Sequence, residues 1–106
     1  MKLWIDDRHA PPSDDWVWAK TSQEALDTLS DALSASVSLE RISFDHDLGG
    51  DDTSRRVALW LVENHILWDD AIVTVHSMNP IGVEWLTGLI DMHGPGVTRV
   101  YANTVL

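Results

Sequence analysis

Short apolar runs, each bounded by charged or turn-forming residues, predict the strands of this chain. Leu-Trp-Ile at 3–5 is stopped by an aspartate pair and is typical of a buried strand. Further strand-like runs lie at 16–20, 41–44, 71–75 and 98–105. The run at 71–75 is the clearest, because it is β-branched and has polar residues on both sides. The pattern therefore predicts five strands.

Three other segments carry apolar residues at helical spacing and begin at helix-capping residues. The first follows Thr21, which opens a Thr-x-x-Glu capping box. The second follows Asp52 or Thr53, either of which can cap a helix. The third follows Asn79, a capping residue with proline at the first helical position, and ends at a Gly-Pro pair.

The order of these elements predicts the fold class. From residue 16 onward strands and helices alternate, which is typical of a small, doubly wound α/β domain with a mostly parallel, five-stranded sheet. Residues 7–15 contain Pro11-Pro12 and are too few for a full helix, so a loop replaces the first helix and the direction of the second strand stays open. The 106 residues fit a single domain, 1–106.

Composition and charge exclude several classes of function and partner. A net charge of -10 with seven Lys and Arg argues against extended nucleic-acid binding, but a single nucleotide or an RNA end is compatible with it. Trp16 and Trp18 leave open a small stacking surface for RNA bases. There is no Cys, no membrane-length apolar run and no signal-peptide pattern, so we expect a cytoplasmic protein without a membrane partner. The sequence does not indicate the oligomeric state.

Polar side chains follow three of the predicted strands. Because ligands of open α/β sheets bind beyond the carboxyl ends of the strands, we expect these side chains to share one site. In chain order they are Asp6, Asp7 and Arg8, then Asp45, His46 and Asp47, and last His76, Ser77 and Asn79.

Four of these residues are carboxylates whose mutual repulsion a bound cation would relieve. Oxygen ligands favour Mg²⁺, or alternatively Mn²⁺. The predicted metal ligands are Asp6, Asp7, Asp45 and Asp47.

Two histidines at the same strand ends are candidate proton-transfer groups. His46 lies between two acids, and His76 follows an apolar strand and precedes a hydroxyl. The other three histidines, His9, His65 and His93, are expected in loops or on helix surfaces and are given no role.

The acid pair, the run Asp45-His-Asp-Leu-Gly and the hydroxyl at Ser77 resemble the response-regulator receiver fold, also called flavodoxin-like. The resemblance covers essentially the whole chain and places Asp45 at the phosphoacceptor position. Receivers, however, have a full first helix and a lysine after their fifth strand, whereas the last lysine here is Lys20. These departures argue against ordinary phosphorelay signalling.

Three runs more closely resemble the cyclic-phosphate processing receiver domain. They are Leu-Trp-Ile-Asp-Asp-Arg at 3–8, Ser-Phe-Asp-His-Asp-Leu-Gly at 43–49 and Val-His-Ser-Met-Asn-Pro-Ile-Gly at 75–82. The resemblance implies a role in handling cyclic phosphate ends of RNA or nucleotides, typical of bacterial and phage RNA repair.

The leading hypothesis is a metal-assisted phosphoesterase acting on a cyclic phosphate, such as a 2′,3′-cyclic end. His46 and His76 would divide the base and acid roles beside Asp45, and Arg8, Ser77 and Asn79 would contact the substrate. One alternative is a receiver that accepts a phosphoryl group on Asp45. Another is a non-catalytic binding domain of a phage or accessory protein.

Overall fold

Four parallel strands form a sheet in the order β2-β1-β3-β4. In the computed structural model, which describes residues 1–98, the strands are β1 (Lys2–Ile5), β2 (Trp16–Ala19), β3 (Arg41–Phe44) and β4 (Ile72–Val75). Three α-helices follow the strands: α1 (Ser22–Ser34), α2 (Arg55–Glu63) and α3 (Pro80–His93), with a short 3-10 helix at His65–Leu67. The chain is thus an α/β domain with a parallel sheet, as predicted.

The pairing of β1 with β2 shows the direction of the second strand, which the sequence left open. The two strands are parallel, with Leu3 opposite Val17. Residues 6–15 join them through turns and bends. The backbone N–H of Asp6 donates to the carbonyl of Ala19, and the indole Nε1 of Trp18 donates to the carbonyl of Asp6 at 2.7 Å. These bonds hold the start of the connection against the end of β2.

The predicted fifth strand, 98–105, falls almost entirely outside the described residues. At its start, Val97 forms an isolated parallel bridge with Val73, and the N–H of Thr98 donates to the carbonyl of Val73 at 2.7 Å. The described chain therefore reaches the free edge of β4.

Capping confirms two of the three predicted helix starts. The hydroxyl of Thr21 accepts from the N–H of Glu24 at the start of α1, and Asn79 caps α3. The prediction for α2 was wrong, because the residue at its N-cap is Ser54. The carboxylate of Asp52 instead accepts hydrogen bonds from the N–H and hydroxyl of Ser22.

The hydrophobic core lies between the helices and one face of the sheet. Leu3 and Ile5 of β1 are fully buried there, against apolar residues of all three helices. On the opposite face, Trp4 of β1 stands beside Ser43 of β3 and Thr74 of β4. In the described part of the chain, no helix is both long and apolar enough to span a bilayer.

Candidate functional site

Three carboxylates meet beyond the carboxyl ends of β1 and β3. Asp6 and Asp7 directly follow β1, and Asp45 directly follows β3. Because the two strands are parallel neighbours, both ends open on the same edge of the sheet. One oxygen atom from each carboxylate lies within 4.8 Å of the other two. The topology thus brings together acids that are about 40 positions apart in the sequence.

A cavity of about 440 Å³ opens over these carboxylates. This volume lies within the range of small-molecule sites. Eight of the nine predicted site residues line it, and His46 does not. The lining residues are Asp6, Asp7, Arg8, His9, Asp45, Asp47, Gly49, Gly50, His76, Ser77, Met78 and Asn79.

Asp6 is the most buried member of the site, with 1% of its surface exposed. One carboxylate oxygen accepts from the backbone N–H groups of Arg8 and His9, at 2.8 and 2.9 Å. Its other oxygen lies 3.0 Å from Nε2 of His76. Burial raises the pKa of Asp6, but the hydrogen bonds from His9, Arg8 and His76 outweigh it and hold the pKa below its ordinary value. Asp6 is therefore a buried, ionised carboxylate.

Asp45 has the opposite shift. Burial raises the pKa of Asp45, and the negative charge of Asp6 raises it further, more than His76 and the hydroxyl of Ser77 lower it. The surroundings of Asp45 thus disfavour its ionised form. A positive charge bound beside the carboxylate would stabilise that form.

His76 belongs to a chain of hydrogen bonds that runs across the sheet. The hydroxyl of Thr74 donates to that of Ser43, which lies 2.7 Å from Nδ1 of His76, and Nε2 of His76 lies 3.0 Å from Asp6. Burial lowers the pKa of His76, and the bond and charge of Asp6 offset only part of this. The order Ser-His-Asp is that of a hydrolase triad, but Ser43 is fully buried and has no access to a substrate.

His46 points away from the cavity into the interior. It is buried, and its ring packs against Gly82 of α3. Its neighbour Asp47 lines the cavity but is not part of the group of three carboxylates. The side-chain amide of Asn79 donates to Asp47, and this bond, followed by that of His46, lowers the pKa of Asp47.

His9, to which the sequence analysis gave no role, lies at the rim of the cavity. Its side chain is 77% exposed, and Nδ1 stands 3.5 Å from a carboxylate oxygen of Asp6. The turn in which Asp6 accepts the N–H groups of the next residues folds His9 back over the site. The signal for this was local: His9 follows the acid pair by two positions.

One known protein family matches most of this chain. The model of the cyclic-phosphate processing receiver domain matches residues 1–92, which include all four strands and nearly all of α3. The chain belongs to this family. No curated protein and no solved structure matches it.

The charge of the site in this receiver domain is mostly negative. Among the described residues, Arg8 is the one Lys or Arg that lines the cavity. Its side chain is largely exposed, and Nε lies 3.9 Å from a carboxylate oxygen of Asp7. A phosphate would therefore meet four carboxylates and one guanidinium, an environment that repels it unless further positive charge is bound.

Proposed function

We propose that this receiver domain is a metal-assisted phosphoesterase that opens cyclic phosphates, with 2′,3′-cyclic nucleotides or RNA ends as the substrate class. The observation that carries the proposal is the group of Asp6, Asp7 and Asp45, all of which line a cavity of about 440 Å³. The membership of a cyclic-phosphate processing family supports the substrate class.

The donor set fits a hard divalent cation. Three carboxylates offer oxygen ligands within 4.8 Å of one another, and Mg²⁺ and Mn²⁺ prefer such ligands. The raised pKa of Asp45 has the sign expected of a carboxylate that lacks a countercharge. Asp6, Asp7 and Asp45 would hold the ion, which when bound would neutralise phosphate charge and make water more acidic. Asp47 stands outside this group, although the sequence analysis placed it among the ligands.

Three residues at the cavity would bind and orient the substrate. Arg8 would pair with a phosphate oxygen, since its guanidinium is exposed and free to turn toward the cavity. Ser77 and Asn79 follow β4 and would contact the phosphate or the ribose edge through their polar groups. Asp47 would accept a hydrogen bond from the attacking water.

The reaction requires one proton to leave water and one to reach the leaving oxygen. The water oxygen forms a bond to phosphorus, its proton passes to solvent, and the bond from phosphorus to one ribose oxygen breaks. His9 would protonate that oxygen, because its exposed imidazole lies at the rim. The base and acid roles were assigned to His46 and His76 from the sequence, but both ring nitrogens of each lie within hydrogen-bond distance of protein groups, so the present proposal gives the acid role to His9.

A second candidate function is phosphoryl transfer to Asp45. The observation in its favour is that Asp45 lies in the cavity with the hydroxyl of Ser77 beside it. Under this hypothesis acetyl phosphate would add one phosphate, and Asp45→Asn would abolish the adduct.

Hydrolysis of 2′,3′-cyclic nucleotides with Mg²⁺ or Mn²⁺ tests the main proposal. We expect turnover that EDTA abolishes, that Asp45→Asn reduces at least about 100-fold and that His9→Ala reduces about 100-fold. His65→Ala is the control, since it removes an exposed histidine at the far end of α2 and should leave the rate unchanged.

The outcomes separate the candidate functions. Turnover with the wild-type protein but not with Asp45→Asn supports the phosphoesterase. A phosphorylated protein without turnover supports the receiver alternative. If the protein shows neither activity, and neither Mg²⁺ nor Mn²⁺ changes its melting temperature, the results support the non-catalytic binding domain.

A further inference from the structure

His46 is buried with both ring nitrogens engaged, although it belongs to the run of residues that follows β3. Nε of Arg55 donates to Nε2 of His46 at 2.8 Å, and Nδ1 lies 3.1 Å from a carboxylate oxygen of Asp47. A guanidinium has no acceptor, so Nε2 must carry the lone pair. The proton is therefore on Nδ1, which donates to Asp47.

Two helices hold the ring in this orientation. The imidazole packs so closely on α3 that a Cβ atom at Gly82 would come within 2.3 Å of Cγ of His46. Arg55, in the first turn of α2, is itself held, since its guanidinium lies 4.7 Å from the ring centroid of Trp85 in α3. The ring is thus held between its contact with Gly82 of α3 and its hydrogen bond from Arg55 of α2.

The group at the end of this chain of contacts is Asp47. One carboxylate oxygen faces His46, and the other accepts from the side-chain amide of Asn79 at 2.9 Å. The side-chain oxygen of Asn79 also caps α3, so the amide group is fixed in turn. Asp47 is exposed at the cavity, but its carboxylate is oriented by two partners, the buried ring of His46 and the side chain of Asn79, which caps α3.

We propose that His46 and Arg55 are positioning residues that aim the carboxylate of Asp47 at the substrate cavity, with His46 held as the Nδ1–H tautomer. The orientation is a property of the folded chain, and its effect on the rate rests on the function proposed above. Arg55 does not line the cavity; it acts through its hydrogen bond to His46 and through the attraction of its charge for Asp47. His46 does not exchange protons with the substrate.

Nitrogen NMR of the histidine rings tests the orientation without substrate or metal. At pH 7.5 we expect His46 to show a protonated Nδ1 and an unprotonated Nε2. Arg55→Ala should mix the tautomers and shift the side-chain amide signals of Asn79, while Arg56→Ala should change neither. Arg56 is the matched control, since it is the next residue and donates to Gln23 instead. An Nε2–H tautomer in the wild-type protein, or the same spectra for both variants, would overturn the proposal.

Two substitutions of His46 separate positioning from proton transfer. The amide of His46→Asn retains a donor near the place of Nδ1, whereas His46→Leu has none. We expect kcat to remain within about 5-fold for Asn and to fall about 10- to 100-fold for Leu, with KM little changed. An equal loss in both would assign proton transfer to His46 itself. If the wild-type protein shows no turnover, the phosphoesterase proposal fails, and the tautomer and amide signals still decide the orientation.

Discussion

The imidazole of His76 stacks flat on the indole of Trp4, with ring centroids 4.0 Å apart and planes 8° from parallel. The indole is held in its turn, since Nε1 donates to the carbonyl of His9 at 2.8 Å and Trp16 packs edge-on against it. Trp4 therefore links the loop that carries His9 to the imidazole beside Asp6. A buried side chain of β1, on the face of the sheet opposite the helices, thus fixes two sides of the cavity.

Replacing this indole should release His76. We expect Trp4→Leu and Trp16→Leu each to lower the free energy of unfolding by about 2–4 kcal/mol, because each removes a buried aromatic ring. Only Trp4→Leu should shift the NMR signals of the His76 ring protons, because the imidazole ring stacks on the indole of Trp4. Urea denaturation and NMR measure the two effects. An equal shift of the His76 signals in Trp16→Leu would contradict the role given to the stack.

Two glycines of α3 provide a matched pair for the packing of His46. Gly82→Ala should destabilise the protein by about 1–3 kcal/mol, because the added Cβ would stand 2.3 Å from Cγ of His46. Gly88→Ala should stabilise it by about 0.5–1 kcal/mol, since nothing lies within 4 Å and alanine is the better helix former. Urea denaturation of both variants measures the difference. Similar values would mean that His46 moves aside at no cost.

Asp45→Asn should change stability in opposite directions with and without a cation. Without one, it should raise the melting temperature at pH 7, because the raised pKa of Asp45 means that its negative charge destabilises the folded state. With Mg²⁺ at 100 times the dissociation constant, the wild-type protein should gain about 2.7 kcal/mol, and the variant much less. Calorimetric scans with and without Mg²⁺ measure both. A lower melting temperature for the variant without a cation would contradict the electrostatic argument.

The ion pair of Lys2 with Asp15 should make stability depend on acid pH. The bond from Lys2, followed by that from Ser13, lowers the pKa of Asp15 from 3.8 to about 2. A depressed carboxylate pKa stabilises the folded state above the unfolded value, so this contribution is lost as the pH falls from 3.8 to about 2. Denaturation curves measured at several pH values across this window give the free energy of unfolding. That free energy should depend less on pH in Asp15→Asn than in the wild-type protein. Asp14→Asn, which removes the neighbouring charge, should keep the wild-type slope.

The contact of Asp52 with the start of α1 should contribute to stability as a helix cap does. Its carboxylate oxygens lie 2.9 Å from the N–H and 2.5 Å from the hydroxyl of Ser22, which is buried. We expect Asp52→Ala to cost about 1–2 kcal/mol. Asp51→Ala, at the exposed neighbour, should stay within about 0.5 kcal/mol of the wild type. Thermal unfolding of the two variants would test this, and equal melting temperatures would mean that water replaces the lost bonds.

Features set by nearby residues could be predicted from the sequence. The strands could be placed because each is a short apolar run with polar boundaries, and the caps Thr21 and Asn79 because each bonds N–H groups two or three residues ahead. The acidic edge was predictable as well, since parallel strands end on the same side and three of them end in polar residues.

Features set by distant residues could not be predicted. Asp52 or Thr53 was expected to cap α2, but the N-cap is Ser54. The carboxylate of Asp52 instead binds Ser22, 30 positions earlier. His46 was expected at the cavity because acids flank it, and no local pattern shows that Arg55 and Gly82 draw its ring inward. His9 is an exception: it was set aside as a loop residue, although the bond from its N–H to Asp6 is local.

The sequence by itself determined the α/β alternation, a mostly parallel sheet and the edge on which the acids gather, because these follow from local periodicity and from the order of the elements. The direction of β2 was decided by the structure. Only the tertiary structure decided which imidazole faces the cavity and which is locked behind Asp47. The direction of a side chain at a strand end depends on the helices that pack beside it, and those helices lie elsewhere in the chain.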